Sequence, residues 1–112
     1  MGARSFTDLH AWRLANDLKL GVYALIRVGE ARRDLGFRDQ IRNAAASAPR
    51  NIAEGFGRYM PREFNQYPRV ANGSLQEVSN HLKDGVDRGY FSLEQVAPLQ
   101  VLRDVHPPLL HG

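Results

Sequence analysis

Residues 40–58, QIRNAAASAPRNIAEGFGR, constrain the fold of this chain more than any other stretch. Alanine is the strongest helix former, and its small side chain lets a neighbouring backbone come close, so residues 43–48 predict a tightly packed helix. Pro49 has no amide hydrogen and is expected to kink or interrupt that helix, with residues 50–54 resuming it. Gly55 and Gly57 then read as the helix exit. Arg42, Arg50 and Arg58 are spread along the same run, which adds a basic edge to a packing face.

The remaining apolar residues are also spaced for helices. Leu9, Trp12, Ala15, Leu18, Val22 and Leu25 recur at steps of three and four and define one face. Thr7 or Asp8 is the expected N-cap, with Phe6 as a staple residue and Gly29 closing the segment. A charged loop, residues 30–34, leads to the second helix, expected to begin near Phe37. The third segment keeps its spacing through Phe64, Tyr67, Ala71, Ser74, Leu75, Val78, Leu82 and Val86. Pro61 suits a first-turn position, but Pro68 lies inside the pattern. A kink there, or a helix properly begun only near Pro68, is expected. Gly89, Tyr90 and Phe91 form the next turn. Ser92 and Gln95 have capping-box spacing ahead of Leu93, Val96, Leu99, Leu102 and Val105, and Pro107 and Pro108 end that segment. Four helices, short connections and no strand signal predict one all-α domain over residues 1–112, an antiparallel up-and-down four-helix bundle.

The chain excludes several kinds of chemistry. It contains no cysteine, and therefore no disulfide, thiolate nucleophile or cysteine metal site. Ser47, Ser74, Ser79 and Ser92 lack a nucleophile context. Histidines 10, 81, 106 and 111 are scattered. Glu77 and His81 stand one helical turn apart, without the second repeat that a di-iron bundle needs. Gly55, Phe56 and Gly57 make a turn rather than a phosphate loop. No catalytic residue, metal or cofactor is expected. No apolar run reaches the ~20 residues of a membrane span, and residues 1–4 do not lead into the apolar run of a secretory leader. A cytoplasmic protein is the expectation.

Charge is the remaining functional signal. Arginine supplies 13 of the 15 basic residues. From Arg38 to Arg69 six arginines (38, 42, 50, 58, 62 and 69) face three acids, Asp39, Glu54 and Glu63, whereas acids prevail from Glu77 to Asp104. Guanidinium groups suit phosphate recognition, and Tyr59 offers a ring for an unpaired base. Arg38, Arg42, Arg50, Arg58, Arg62 and Arg69 are therefore the expected nucleic-acid-binding residues. Pairing with acids or with a neighbouring subunit is the alternative. Asn51 and Glu54 are expected to cap broken backbone or bond across helices beside Pro49; a ligand or subunit contact is the other reading.

In order along the chain, residues 6–12 (FTDLHAW), 40–48 (QIRNAAASA), 51–58 (NIAEGFGR), Glu63 with Phe64, and 73–75 (GSL) resemble a family. It is the family of four-helix-bundle proteins named after 23S rRNA intervening sequences, with the related accessory variability proteins of diversity-generating retroelements. The resemblance covers about residues 6–90. It implies an up-and-down bundle assembling into a homo-oligomeric ring, typically a pentamer. For the retroelement members it implies a basic surface that binds RNA or DNA and a reverse transcriptase. Trp12, Asn51, Glu54 and Phe64 are the residues expected to serve structure or interfaces. The chain departs from the family pattern at Arg50, where serine is common, at Pro68 and Asn72, and at Pro107 and Pro108, which shorten the last helix. A non-enzymatic scaffold that binds nucleic acid is the leading expectation, and a protein-assembly module without nucleic-acid binding is its rival.

Overall fold

The computed structural model describes residues 6–56 and 67–104. They form four helices, α1 (Phe6–Ile26), α2 (Leu35–Phe56), α3 (Tyr67–Asp87) and α4 (Leu93–Asp104), with a 3-10 turn, Glu30–Arg33, between α1 and α2. No strand occurs among the described residues, so the chain is an all-α four-helix bundle. α1 packs on α2 and α4, and α3 packs on α2 and α4, which places each helix at a corner of a square. Its centre is filled by Leu18 and Val22 of α1, Ile41 and Ala45 of α2, Val78 and Leu82 of α3, and Val96 and Leu99 of α4. Trp12 leans on this core from α1 and is half-buried. α2 and α3 run in opposite directions: Asp34 meets Tyr90 at one end, and Ser47 meets Ser74 further along.

Helix ends follow local chemistry. α1 already includes Thr7 and Asp8, so neither caps it from outside as expected. Gly29 takes a positive φ of 67° after its last turn. α2 begins two residues before Phe37, because the Asp34 carboxylate accepts the Phe37 amide at 3.2 Å while its carbonyl accepts the Arg38 amide at 2.8 Å. α3 is described from Tyr67, beside Pro68, and the residues ahead of it lie outside the described ones. It ends in a Schellman motif, in which the Tyr90 amide bonds the Gly85 carbonyl and the Gly89 amide bonds that of Val86. This geometry needs a left-handed residue, and Gly89 supplies it at a φ of 79°. Three residues later Ser92 and Gln95 form the expected reciprocal box: Gln95 Oε1 accepts the Ser92 amide at 2.8 Å, and Ser92 Oγ accepts the Gln95 amide at 3.0 Å.

Two expectations need correction. Of the two outcomes expected at Pro49, a kink or an interruption, the interruption does not occur: α2 continues through it. Its missing donor deprives the Ala45 carbonyl of an intrahelical partner. The neighbouring turn is braced from the side instead. Asn51 Nδ2 donates to the Ser47 carbonyl at 2.7 Å and to Ser47 Oγ at 3.0 Å, and the Ser47 and Ser74 hydroxyls share a hydrogen bond of 2.7 Å. Asn51 thus bonds within α2 and, through Ser47, ties α2 to α3. Leu93 is not in the core but 72% exposed, because α4 turns only Val96, Leu99 and part of Leu102 inward. Pro98 also lies inside α4.

Candidate nucleic-acid interface

Of the six arginines expected to form one surface, the structure brings Arg38 and Arg42 together. They lie one turn apart near the start of α2, with Asp39 between them. Arg42 Nη2 pairs with Asp39 Oδ1 at 2.9 Å, and Arg38 Nε stands 4.0 Å from the same oxygen. Arg50 does not share their face. At about 100° per residue, twelve residues of helix rotate it about 120° away from Arg38. Arg50 and Arg69 are both exposed, the latter at the start of α3. Arg58, Arg62, Tyr59 and Phe64 lie outside the described residues. Glu54 is exposed on the last turns of α2, where it makes its own contacts.

The more concentrated basic site uses residues from three segments. Leu20, Tyr23, Ile26 and Arg27 of α1, Arg32 of the 3-10 turn, and Arg38 and Arg42 of α2 line an open cleft of about 590 Å³. Arg27 and Arg32 also edge a second hollow of about 410 Å³ with Arg33 and one acid, Glu30. The fold causes this convergence. α1 ends at Ile26, the chain reverses through Gly29 and the 3-10 turn, and α2 returns alongside, so three arginine-bearing segments meet at one end. Sequence counting from Arg38 onward missed Arg27, Arg32 and Tyr23. The spacing of Lys19, Tyr23 and Arg27 at successive fours, placing a ring between cations on one helix face, is the signal that marks them.

Electrostatics leaves these arginines mostly uncompensated. Among the described residues, Asp39 is the acid paired with the four cleft guanidiniums. Arg38 Nη1 donates to the Arg32 carbonyl at 3.1 Å, which holds its fork in place, while its buried Nε has no hydrogen-bond partner. Asp34, the next acid along, is committed elsewhere. Its Oδ2 accepts the Tyr90 hydroxyl at 2.7 Å and Arg88 Nη1 at 3.1 Å, and Arg88 Nε donates to Asp84 Oδ2 at 2.8 Å. The Tyr90 hydroxyl, then the Phe37 amide, hold the Asp34 carboxyl below its ordinary value. The same bond raises Tyr90, and Asp84 above all keeps Arg88 charged.

A carboxyl depressed in the folded state stabilises that state above its ordinary value, here 3.8, and loses the contribution as pH falls through the folded value. Asp34→Asn retains a capping side chain without the charge. It is expected to be less stable than the parent at neutral pH, with the gap closing in acid below pH 3.8. Urea denaturation of both proteins across that range measures it, and a gap constant with pH would contradict the assignment.

Glu77 and His81 do approach, with Oε2 and Nε2 3.5 Å apart, but His81 also packs edge-on to the Phe37 ring. No group of three metal-ligating side chains forms among the described residues. No described helix is long and apolar enough to cross a membrane.

Among curated proteins and among solved structures, no significant match to this chain was found. A family model does match, over residues 7–106, and therefore over nearly all of the four helices described above. By that match the chain belongs to the family of 23S rRNA-intervening sequence proteins.

Proposed function

We propose that this protein is a non-enzymatic, cytoplasmic, homo-oligomeric scaffold whose subunit is an antiparallel up-and-down bundle and whose arginine face binds RNA or DNA. The observation that carries this reading is the cleft in which Arg27, Arg32, Arg38 and Arg42 converge, with Asp39 the acid paired against them among the described residues. Guanidinium forks suit phosphate oxygens, and such contacts bind without reading sequence. A ring, which the family resemblance implies to be a pentamer, repeats the cleft in every subunit and multiplies a weak contact.

Titration of fluorescent RNA and DNA oligomers against rising salt tests the reading, because phosphate contacts release counterions. Arg38→Ala with Arg42→Ala is expected to lower affinity about tenfold and to flatten the log–log salt slope by about two. Absence of binding even at low salt would remove nucleic acid from the proposal. Light scattering measures the assembly separately, and a monomer at high concentration would remove the ring.

A protein-assembly role is the second reading, favoured by Leu20, Val28 and Leu35, which stand 51%, 61% and 58% exposed around the same arginines. In that case the double variant changes the assembled mass, and the wild type binds no oligomer.

A further inference from the structure

The cleft contains more than cations. Tyr23 contributes an aromatic ring to a wall otherwise built from Leu20, Ile26 and the arginines. The ring is only half-buried, and the Lys19 ammonium stands 5.9 Å from its centroid, at the outer limit of a cation–π contact. Arg38 joins the lining from α2, its guanidinium held by the Arg32 carbonyl at 3.1 Å and standing 4.0 Å from Asp39 Oδ1. The cleft is open, and its volume of about 590 Å³ lies in the range of small-ligand sites.

We propose that this cleft takes one unpaired nucleotide of a single-stranded RNA or DNA, its phosphate on Arg38 and Arg42 and its base stacked on Tyr23. The assignment rests on the nucleic-acid reading above and narrows it to a strand class. Every base has a π-face, so stacking on a tyrosine is indifferent to sequence but requires a base outside a duplex stack. Arg27 and Arg32, at the mouth shared with the second hollow, contact the flanking phosphates. A paired strand offers phosphates to the same arginines and no base to the ring.

The test compares three labelled oligomers of equal length at one salt concentration: a single strand, its duplex, and a strand of abasic sites. Ribose and deoxyribose versions are both titrated. The single strand is expected to bind about tenfold more tightly than the other two. Tyr23→Leu is expected to reduce single-strand affinity about tenfold without changing duplex affinity, and Tyr23→Phe to retain it. The abasic comparison uses the unaltered protein and stands even if Tyr23→Leu does not fold. Equal binding of all three oligomers would overturn the stacking assignment while leaving salt-dependent phosphate binding intact. No binding of any oligomer would overturn both and leave the protein-assembly role.

Discussion

Phe37→Ala is expected to lower the free energy of unfolding by about 3–5 kcal/mol, the range for removing a buried phenylalanine ring. That is a large part of the 5–15 kcal/mol typical of a folded domain. Phe37 sits in the first turn of α2, 5% exposed, and its ring is the meeting point of three other aromatic side chains. Tyr90 packs on it at 5.3 Å between centroids and Phe91 at 5.8 Å, and His81 approaches edge-on at 6.3 Å. The Arg88 guanidinium lies 5.3 Å from the ring centre. Truncation empties a site walled by α3 and by the turn into α4, neither of which can collapse without disturbing the other. Urea denaturation of Phe37→Ala and of Phe37→Leu provides the measurement. The leucine variant keeps much of the volume and should cost far less. A loss of about 1 kcal/mol or less in the alanine variant would show that the ring is not central to the packing.

Gly85→Ala is expected to be the second most damaging change, at about 2 kcal/mol. A methyl group at Gly85 would fall on the Phe91 ring and reach within 3.1 Å of Phe37 Cζ. Both neighbours are rigid rings in a packed cluster, so the backbone must shift, and overpacking of this kind costs typically about 1–3 kcal/mol. Helix propensity opposes it, since alanine in mid-helix is favoured over glycine by about 1 kcal/mol. Steric conflict prevails because the turn after α3 anchors Phe91 from the other side. The Phe91 amide approaches the Gly85 carbonyl at 3.3 Å, so this ring cannot retreat independently of the helix end. A double-mutant cycle with Phe91→Leu separates the two effects. Gly85→Ala should be close to neutral in that background, and an unchanged penalty there would place the conflict elsewhere.

The features legible in the sequence were those set by neighbours in the chain. Ser92 with Gln95, and Gly89 after α3, depend on a few adjacent residues and follow from them. The features not legible depend on tertiary surroundings. Pro49 lies within a continuous α2 because Asn51 and Ser47 brace the turn and α3 supports it through Ser74. Leu93 fits the apolar spacing of α4 but is exposed, because it lies in the first turn of that helix, on the edge of an open groove between α3 and α4 and not over the core. The arginine cleft was half legible. Arg38 and Arg42 are neighbours on one helix, whereas Arg27, Arg32 and Tyr23 join them only once the chain has reversed between α1 and α2.

The bond between Ser47 and Ser74 also determines how far along α2 the third helix can sit. Ala44, Ala45 and Ala48 offer a shallow, nearly uniform surface, over which alkyl packing alone discriminates weakly between axial positions. A slide of one helical turn, about 5.4 Å, would bring Val70 or Val78 to the level of Ser47. The hydroxyls would then lose each other and keep only their bonds within their own helices, Ser47 from Asn51 and Ser74 to the Val70 carbonyl, at a net cost of about 0.5–1.5 kcal/mol. The serine pair therefore acts as an index mark on an otherwise smooth track, favouring one axial setting of α3 against α2.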